Sequence, residues 1–143
     1  MAETKTKKRR ESYLRKIQSF RENIKLVREW TEETTVEDFL SDKKTRYAVF
    51  KAFQEVVEAC MDLAAMLVKD RGIPPTDDYT NLEKLREEKI ISDEMKDYLG
   101  EANGLRNWIT HKYNKLDEEK AYRAILRLVG PLEEFMGVVK KWI

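Results

Sequence analysis

Histidine and cysteine each occur once in this 143-residue sequence, as His111 and Cys60. A single cysteine excludes an intramolecular disulfide and fits a reducing compartment. One histidine with one remote cysteine does not make a zinc site, and the carboxylates cluster nowhere around His111 with metal-ligand spacing. No apolar run approaches the ~18 residues that span a membrane. No apolar stretch follows the N-terminal charges, so they do not read as a secretory signal. Proline (3) and glycine (5) are scarce, which leaves few places to break a helix. Strand-like alternation of useful length is missing, as are internal repeats, low-complexity tracts and linkers. Residues 1–143 read as one cytoplasmic all-α domain.

Charge and helical periodicity fill the space those absences leave. Charged residues make up 38% and hydrophobic residues 41%, with a net charge of only +1. Near-neutrality neither favours nor excludes nucleic acid as a partner of the molecule as a whole. The basic run "KTKKRR", Lys5–Arg10, is uneven against that balance. Residues 1–11 are expected to be a flexible basic tail; the competing reading is an arm that touches nucleic-acid phosphates.

Apolar residues recur at three and four through most of the chain. Tyr13, Ile17, Phe20, Ile24, Val27 and Trp30 form one stripe of a helix from about Lys8 to Trp30. Thr34 or Thr35 caps a short turn carrying Val36, Phe39 and Leu40. Ser41 is expected to cap the next helix, which runs to about Arg71 and ends at Gly72. There Tyr47, Phe50, Phe53, Val57, Cys60, Ala64 and Leu67 form the stripe, and Val49, Val56, Leu63 and Met66 widen it. An arc that broad predicts a central helix and makes Cys60 a buried thiol. Pro74–Pro75 make a loop. Thr80 is expected to cap a short helix ending near Ile90, and Ser92 to start another from about Asp93 to Tyr113. Asp117 begins the last helix, with Tyr122, Ile125, Leu126, Val129, Leu132, Phe135, Met136 and Val139 as its buried side and Pro131 inside it. The expectation is an up-and-down bundle of four long helices plus one or two short ones.

The lone histidine sits in "GLRNWITHKY", Gly104–Tyr113. On a helical wheel with Arg106 at zero, Tyr113 falls at about −20°, Thr110 at about 40°, Asn107 at about 100° and His111 at about 140°. Leu105, Trp108 and Ile109 occupy the opposite arc. The polar side therefore carries a guanidinium, an imidazole, an amide, a hydroxyl and a phenol. Imidazole exchanges protons near neutral pH. Guanidinium binds phosphate and steadies charge that gathers on it. Asn107 is one turn from His111 and within reach to fix its ring. These groups suit cleavage of an RNA phosphodiester with the 2′-hydroxyl as internal nucleophile, a route that needs no metal or other cofactor. A single copy makes a thin site; two copies across a two-fold axis would make a fuller one.

"RNWITHKY" also fits R-x4-H-x-Y, and in this the chain resembles the HepT-like family of the HEPN (higher eukaryote and prokaryote nucleotide-binding) superfamily. "RYAVFKAFQEVVEACMDLAAMLVKDRG" is similar to that family's second helix, and the spacing through "NLEKLREEKIIS" to the motif and then "LDEEKAYRAI" is similar too. The likeness covers roughly Tyr13 to Trp142, nearly the whole chain. It implies a helical bundle that forms a homodimer with the motifs in a shared cleft, and a metal-independent ribonuclease toxin acting on RNA. It also implies a cognate antitoxin, an MntA-like nucleotidyltransferase that silences the toxin by adding AMP to the motif tyrosine. By that likeness Arg106 and His111 are the catalytic pair, Asn107 the polar helper and Tyr113 the modified residue. The alternative is a non-catalytic helical domain that binds nucleotide or docks a nucleotidyltransferase; a plain dimeric scaffold is the third reading.

Overall fold

A computed structural model describes residues 2–111 and 117–143 of the chain. Six helices follow in order: α1 (Ala2–Glu32), α2 (Val36–Ser41), α3 (Lys43–Asp70), α4 (Asp78–Glu87), α5 (Asp93–His111) and α6 (Glu118–Trp142). Four are long and two short, as the periodicity predicts. Paired side chains give their directions. Arg9 meets Asp70 and Lys16 meets Asp62, so α1 and α3 are antiparallel. Arg127 meets Glu101 between α6 and α5, and Arg28 meets Glu133 between α1 and α6. None of the described helices is long and apolar enough to cross a membrane.

The core is organised by α3. Its buried residues include Val49, Phe50, Phe53, Val56, Val57, Leu63, Ala64 and Leu67, and all five other helices pack against it. Tyr13, Ile17, Phe20, Ile24 and Val27 of α1 enter this core at the expected spacing. Cys60 is fully covered, and burial pushes its thiol pKa up, away from the reactive thiolate. Tyr122 of α6 reaches under the α1–α2 turn, where its hydroxyl donates to the Thr34 carbonyl at 2.9 Å and its ring tilts against Phe39 at 4.1 Å.

Several local expectations need correction. The run Lys5–Arg10 is not a flexible tail but the opening turns of α1. No Gly or Pro interrupts it, and Arg9 is bonded to Asp70 and to the Trp142 carbonyl. Asp42, not Ser41, caps α3: its carboxylate accepts from Lys44 N at 3.1 Å and Thr45 N at 3.4 Å. Asp77, not Thr80, caps α4, accepting from Thr80 N at 2.9 Å. In both places a carboxylate one to three residues away offers acceptors toward the free N–H groups. Gly72 ends α3 as expected, at φ 77°. By contrast α4 ends three residues before Ile90 through Lys89 at φ 60°, a position where no glycine marks the stop. Among the expected core residues, Trp30, Tyr47 and Leu126 are exposed at 38%, 50% and 48%. Tyr47 lies in the first turns of α3, where its ring meets the Lys43 ammonium at 5.4 Å. Leu126 flanks the stripe that Tyr122, Ile125, Leu128, Val129 and Leu132 form on α6, and Leu128 takes the fully buried place.

That exchange sets a stability test. Leu128→Ala is expected to cost about 2–5 kcal/mol and Leu126→Ala under about 1 kcal/mol, measured by urea denaturation. Equal losses at the two sites would contradict this assignment of the α6 faces.

Candidate functional site

The polar face of α5 is built by its neighbours as much as by its own sequence. Arg106 is half-buried, its side chain 17% exposed. Its Nε donates to Asn107 Oδ1 at 3.1 Å. Its Nη2 donates to Asn103 Oδ1 at 2.7 Å and to Asp78 Oδ2 at 3.0 Å. Glu58 of α3 stands 3.8 Å from its Nη1, and Gln54 Nε2 donates to that same carboxylate at 3.0 Å. A guanidinium so placed is held by two carboxylates and two amides from three helices.

Arg106 and Asn107 are thus brought into contact. His111 is the last residue of α5 and is exposed to solvent. It lies five residues beyond Arg106, about 140° round the helix. Thr110, between them, turns its hydroxyl back to the Arg106 carbonyl at 2.9 Å. Tyr113 lies outside the described residues. The opposite face behaves as an apolar side should: Ile109 is buried, and Leu105 and Trp108 pack against the core. Trp108 meets Phe50 of α3 edge-on at 6.0 Å. Outside that face, a groove of about 430 Å³ runs between α5 and α6, lined by Leu105, Trp108, Ala124, Lys120 and Arg123 among others. Among the described residues, no group of three His, Cys, Asp or Glu side chains could hold a metal ion.

Four residues of this neighbourhood escape the motif: Asp78, Tyr79, Asn103 and Glu58. Asn103 had a visible signal, since it lies one turn before Arg106 on the same helix and is an amide at a fully covered position. Asp78 and Glu58 are more than two dozen residues from Arg106 in sequence, so only packing reveals them. Tyr79 lies beside the two glycines of α5. A Cβ at Gly104 would stand 3.4 Å from the Tyr79 hydroxyl, and one at Gly100 3.9 Å from its ring. Both are ordinary van der Waals distances; α4 packs against the motif helix and carries Asp78 to the guanidinium.

Such a bundle, with an R-x4-H helix at the edge of the core, can be set beside known proteins. The Ribonuclease HepT-like family model matches residues 20–139. A provisionally named RNase of Archaeoglobus fulgidus is 39% identical over 135 residues, covering 92% of this chain and 94% of the relative. The mRNA nuclease HepT of Shewanella oneidensis is 27% identical over 106 residues, covering 71% and 77%. In fold, the chain matches a tri-AMPylated Shewanella oneidensis HEPN toxin solved with its MNT antitoxin, with a TM-score of 0.83, 22% identity, and coverage of 90% and 96%. It also matches YutE, a cytosolic Bacillus subtilis protein of unknown function, with a TM-score of 0.77, 16% identity, and coverage of 93% and 89%. The chain belongs to the Ribonuclease HepT-like family.

The geometry makes a prediction that is independent of catalysis. Asp78 and Arg106 are in direct contact, so a double-mutant cycle with Asp78→Ala and Arg106→Ala should show a coupling of about 0.5–3 kcal/mol in chemical denaturation. Strict additivity would mean that the pair does not form in solution.

Proposed function

We propose that this protein is an endoribonuclease toxin that cleaves RNA through Arg106 and His111 without a metal ion. The observation that carries the reading is a guanidinium anchored on the same helix as an exposed imidazole, in a member of a ribonuclease family. His111 takes the proton of the ribose 2′-hydroxyl, whose oxygen attacks the adjacent phosphorus. Arg106 steadies the charge that builds on the phosphoryl oxygens. The 5′-oxygen leaves and takes up a proton, so the products end in a 2′,3′-cyclic phosphate and a 5′-hydroxyl. Two copies of the chain, with their motif helices facing across a two-fold axis, supply separate groups for the two proton transfers. Asn107 acts through Arg106, since its amide oxygen is occupied by Nε.

The same reading pairs the toxin with an MntA-like nucleotidyltransferase in the cytoplasm. AMP added to Tyr113 would set a phosphate and a nucleoside beside Arg106 and keep RNA out. The Shewanella relative, described as tri-AMPylated and bound to an antitoxin, supports this assignment by analogy. One observation favours the second reading, a non-catalytic partner or nucleotide-binding domain: the donors of Arg106 are already engaged by Asp78, Asn103 and Asn107.

Cleavage by the isolated protein decides between them. His111→Ala and Arg106→Ala should each slow RNA cleavage roughly 10²-fold or more, with folding intact. EDTA should leave the rate unchanged. Loss of all cleavage in EDTA would contradict the metal-free route, and a strict monomer that still cuts RNA would contradict the composite site. Co-expression with an MntA-like nucleotidyltransferase should add one or more AMP masses, and Tyr113→Phe should abolish them.

A further inference from the structure

Charge is segregated along this chain. Residues 1–21 hold eight Lys/Arg and two Glu, a net of +6, while residues 22–143 hold 20 Lys/Arg and 25 Asp/Glu, a net of −5. The fold fixes the basic part in place. Arg9 Nε donates to Asp70 at 2.7 Å, its Nη2 donates to the Trp142 carbonyl at 3.1 Å, and Tyr13 donates to the same Asp70 oxygen at 2.5 Å. The start of α1 is thereby tied to the ends of both α3 and α6.

Two open grooves flank that end of α1. One, of about 830 Å³, is lined by Lys5, Arg9, Arg15, Lys16 and Lys69 with the single carboxylate Asp70. The other, of about 370 Å³, is lined by Arg10, Arg21 and Lys140 beside Leu14 and Ile17. Arg9 and Lys16 are paired, with Asp70 and Asp62. Among the described residues, Lys5, Arg10, Arg15, Arg21, Lys69 and Lys140 make no ion pair. Cations from three helices therefore converge on one end with few anions to neutralise them.

The far edge of this surface stands well away from the motif: Glu58, beside Arg106, and Asp70, beside Arg9, are separated by twelve positions on α3, about 18 Å at the helical rise, while Lys16 pairs with Asp62, four positions from Glu58. We propose that the basic end of the bundle is a second RNA-contacting surface, which binds the phosphate backbone of long RNA and raises its concentration at the Arg106–His111 site. The proposal rests on RNA being the substrate. The chemistry fits a polyanion bound without base selection: spread, solvated ammonium and guanidinium groups release counterions from phosphates and read no base edges. A membrane surface fits less well, because α1 has already buried its apolar stripe in the core and has none left to insert.

The experiment uses a fluorescent 20-nucleotide RNA with 2′-O-methyl riboses, which lacks the attacking hydroxyl and stays intact. Binding is followed by anisotropy over a salt series. In the variant Lys5→Ala/Arg10→Ala/Arg15→Ala/Lys69→Ala, Arg9 and Lys16 keep their structural pairs. The affinity of that variant should fall about tenfold or more, and the slope of log K against log salt should decrease by as much as about 3, at ~0.7 per phosphate contact. Cleavage of a dinucleotide, too short to reach both places, should be unchanged, while cleavage of long RNA slows. Should the fourfold variant lose its helical circular dichroism, Lys69→Ala/Lys140→Ala tests the same surface from α3 and α6, with about half the slope change expected. Wild-type affinity and slope in a folded variant would overturn the proposal. So would wild-type binding to phosphatidylserine vesicles with none to RNA. Intact binding of the methylated RNA by a protein that cuts no RNA would instead sink the ribonuclease reading and leave the surface standing.

Discussion

A helix apolar over most of its circumference has nowhere to go but the middle, and α3 sets that constraint on the whole molecule. Thirteen of its residues are buried, each of the larger ones worth about 1.5–3 kcal/mol of removal from water. The other five helices take their places by covering it. The polar sector that α3 retains is narrow and is put to use. Asp62 pairs with Lys16 of α1, and Glu58, bonded by Gln54, faces Arg106 of α5. The helix that makes the core thus also supplies one of the two carboxylates around the motif arginine.

Placing a guanidinium where it is 17% exposed carries a desolvation cost that only good partners offset. Asp78, Asn103, Asn107 and Glu58 are those partners. Asp78 arrives because α4 packs against α5, with Tyr79 beside Gly100 and Gly104. Each glycine weakens an isolated α5 by roughly 1 kcal/mol against alanine.

Helix number, helix order and most of the core were legible because apolar spacing of three and four is a local signal, repeated over whole helices. Tyr13 to Val27 and Phe50 to Leu67 are such cases. Caps were less legible, because Ser41 and Asp42, or Asp77 and Thr80, are both capable acceptors and only backbone geometry selects one. Leu126 and Leu128 show the limit of periodicity: two positions at the edges of a wide arc cannot be ranked until the neighbouring helix is known. The motif itself was legible as a string. The brace around it was not, because Glu58 and Asp78 come to Arg106 from two other helices, and nothing local marks either one.

The two electrostatic features of the molecule bear on each other. Around Arg106 the near charges among the described residues are Asp78 and Glu58, which offset the guanidinium. A net charge of +1 averages this region with the opposite end and hides both. On the proposed reading, the start of α1 and the ends of α3 and α6, where cations outnumber carboxylates, add to the attraction of nucleic acid. Screening at physiological salt limits that attraction to about 8 Å, less than the roughly 18 Å along α3 between Glu58 and Asp70 at the far edge of the basic surface. On the proposed reading, the basic end would hold an RNA strand without pulling a detached phosphate from its far edge onto Arg106. Only a continuous backbone long enough to occupy both places couples them, which makes substrate length, and not overall charge, the variable through which this bundle would distinguish one polyanion from another.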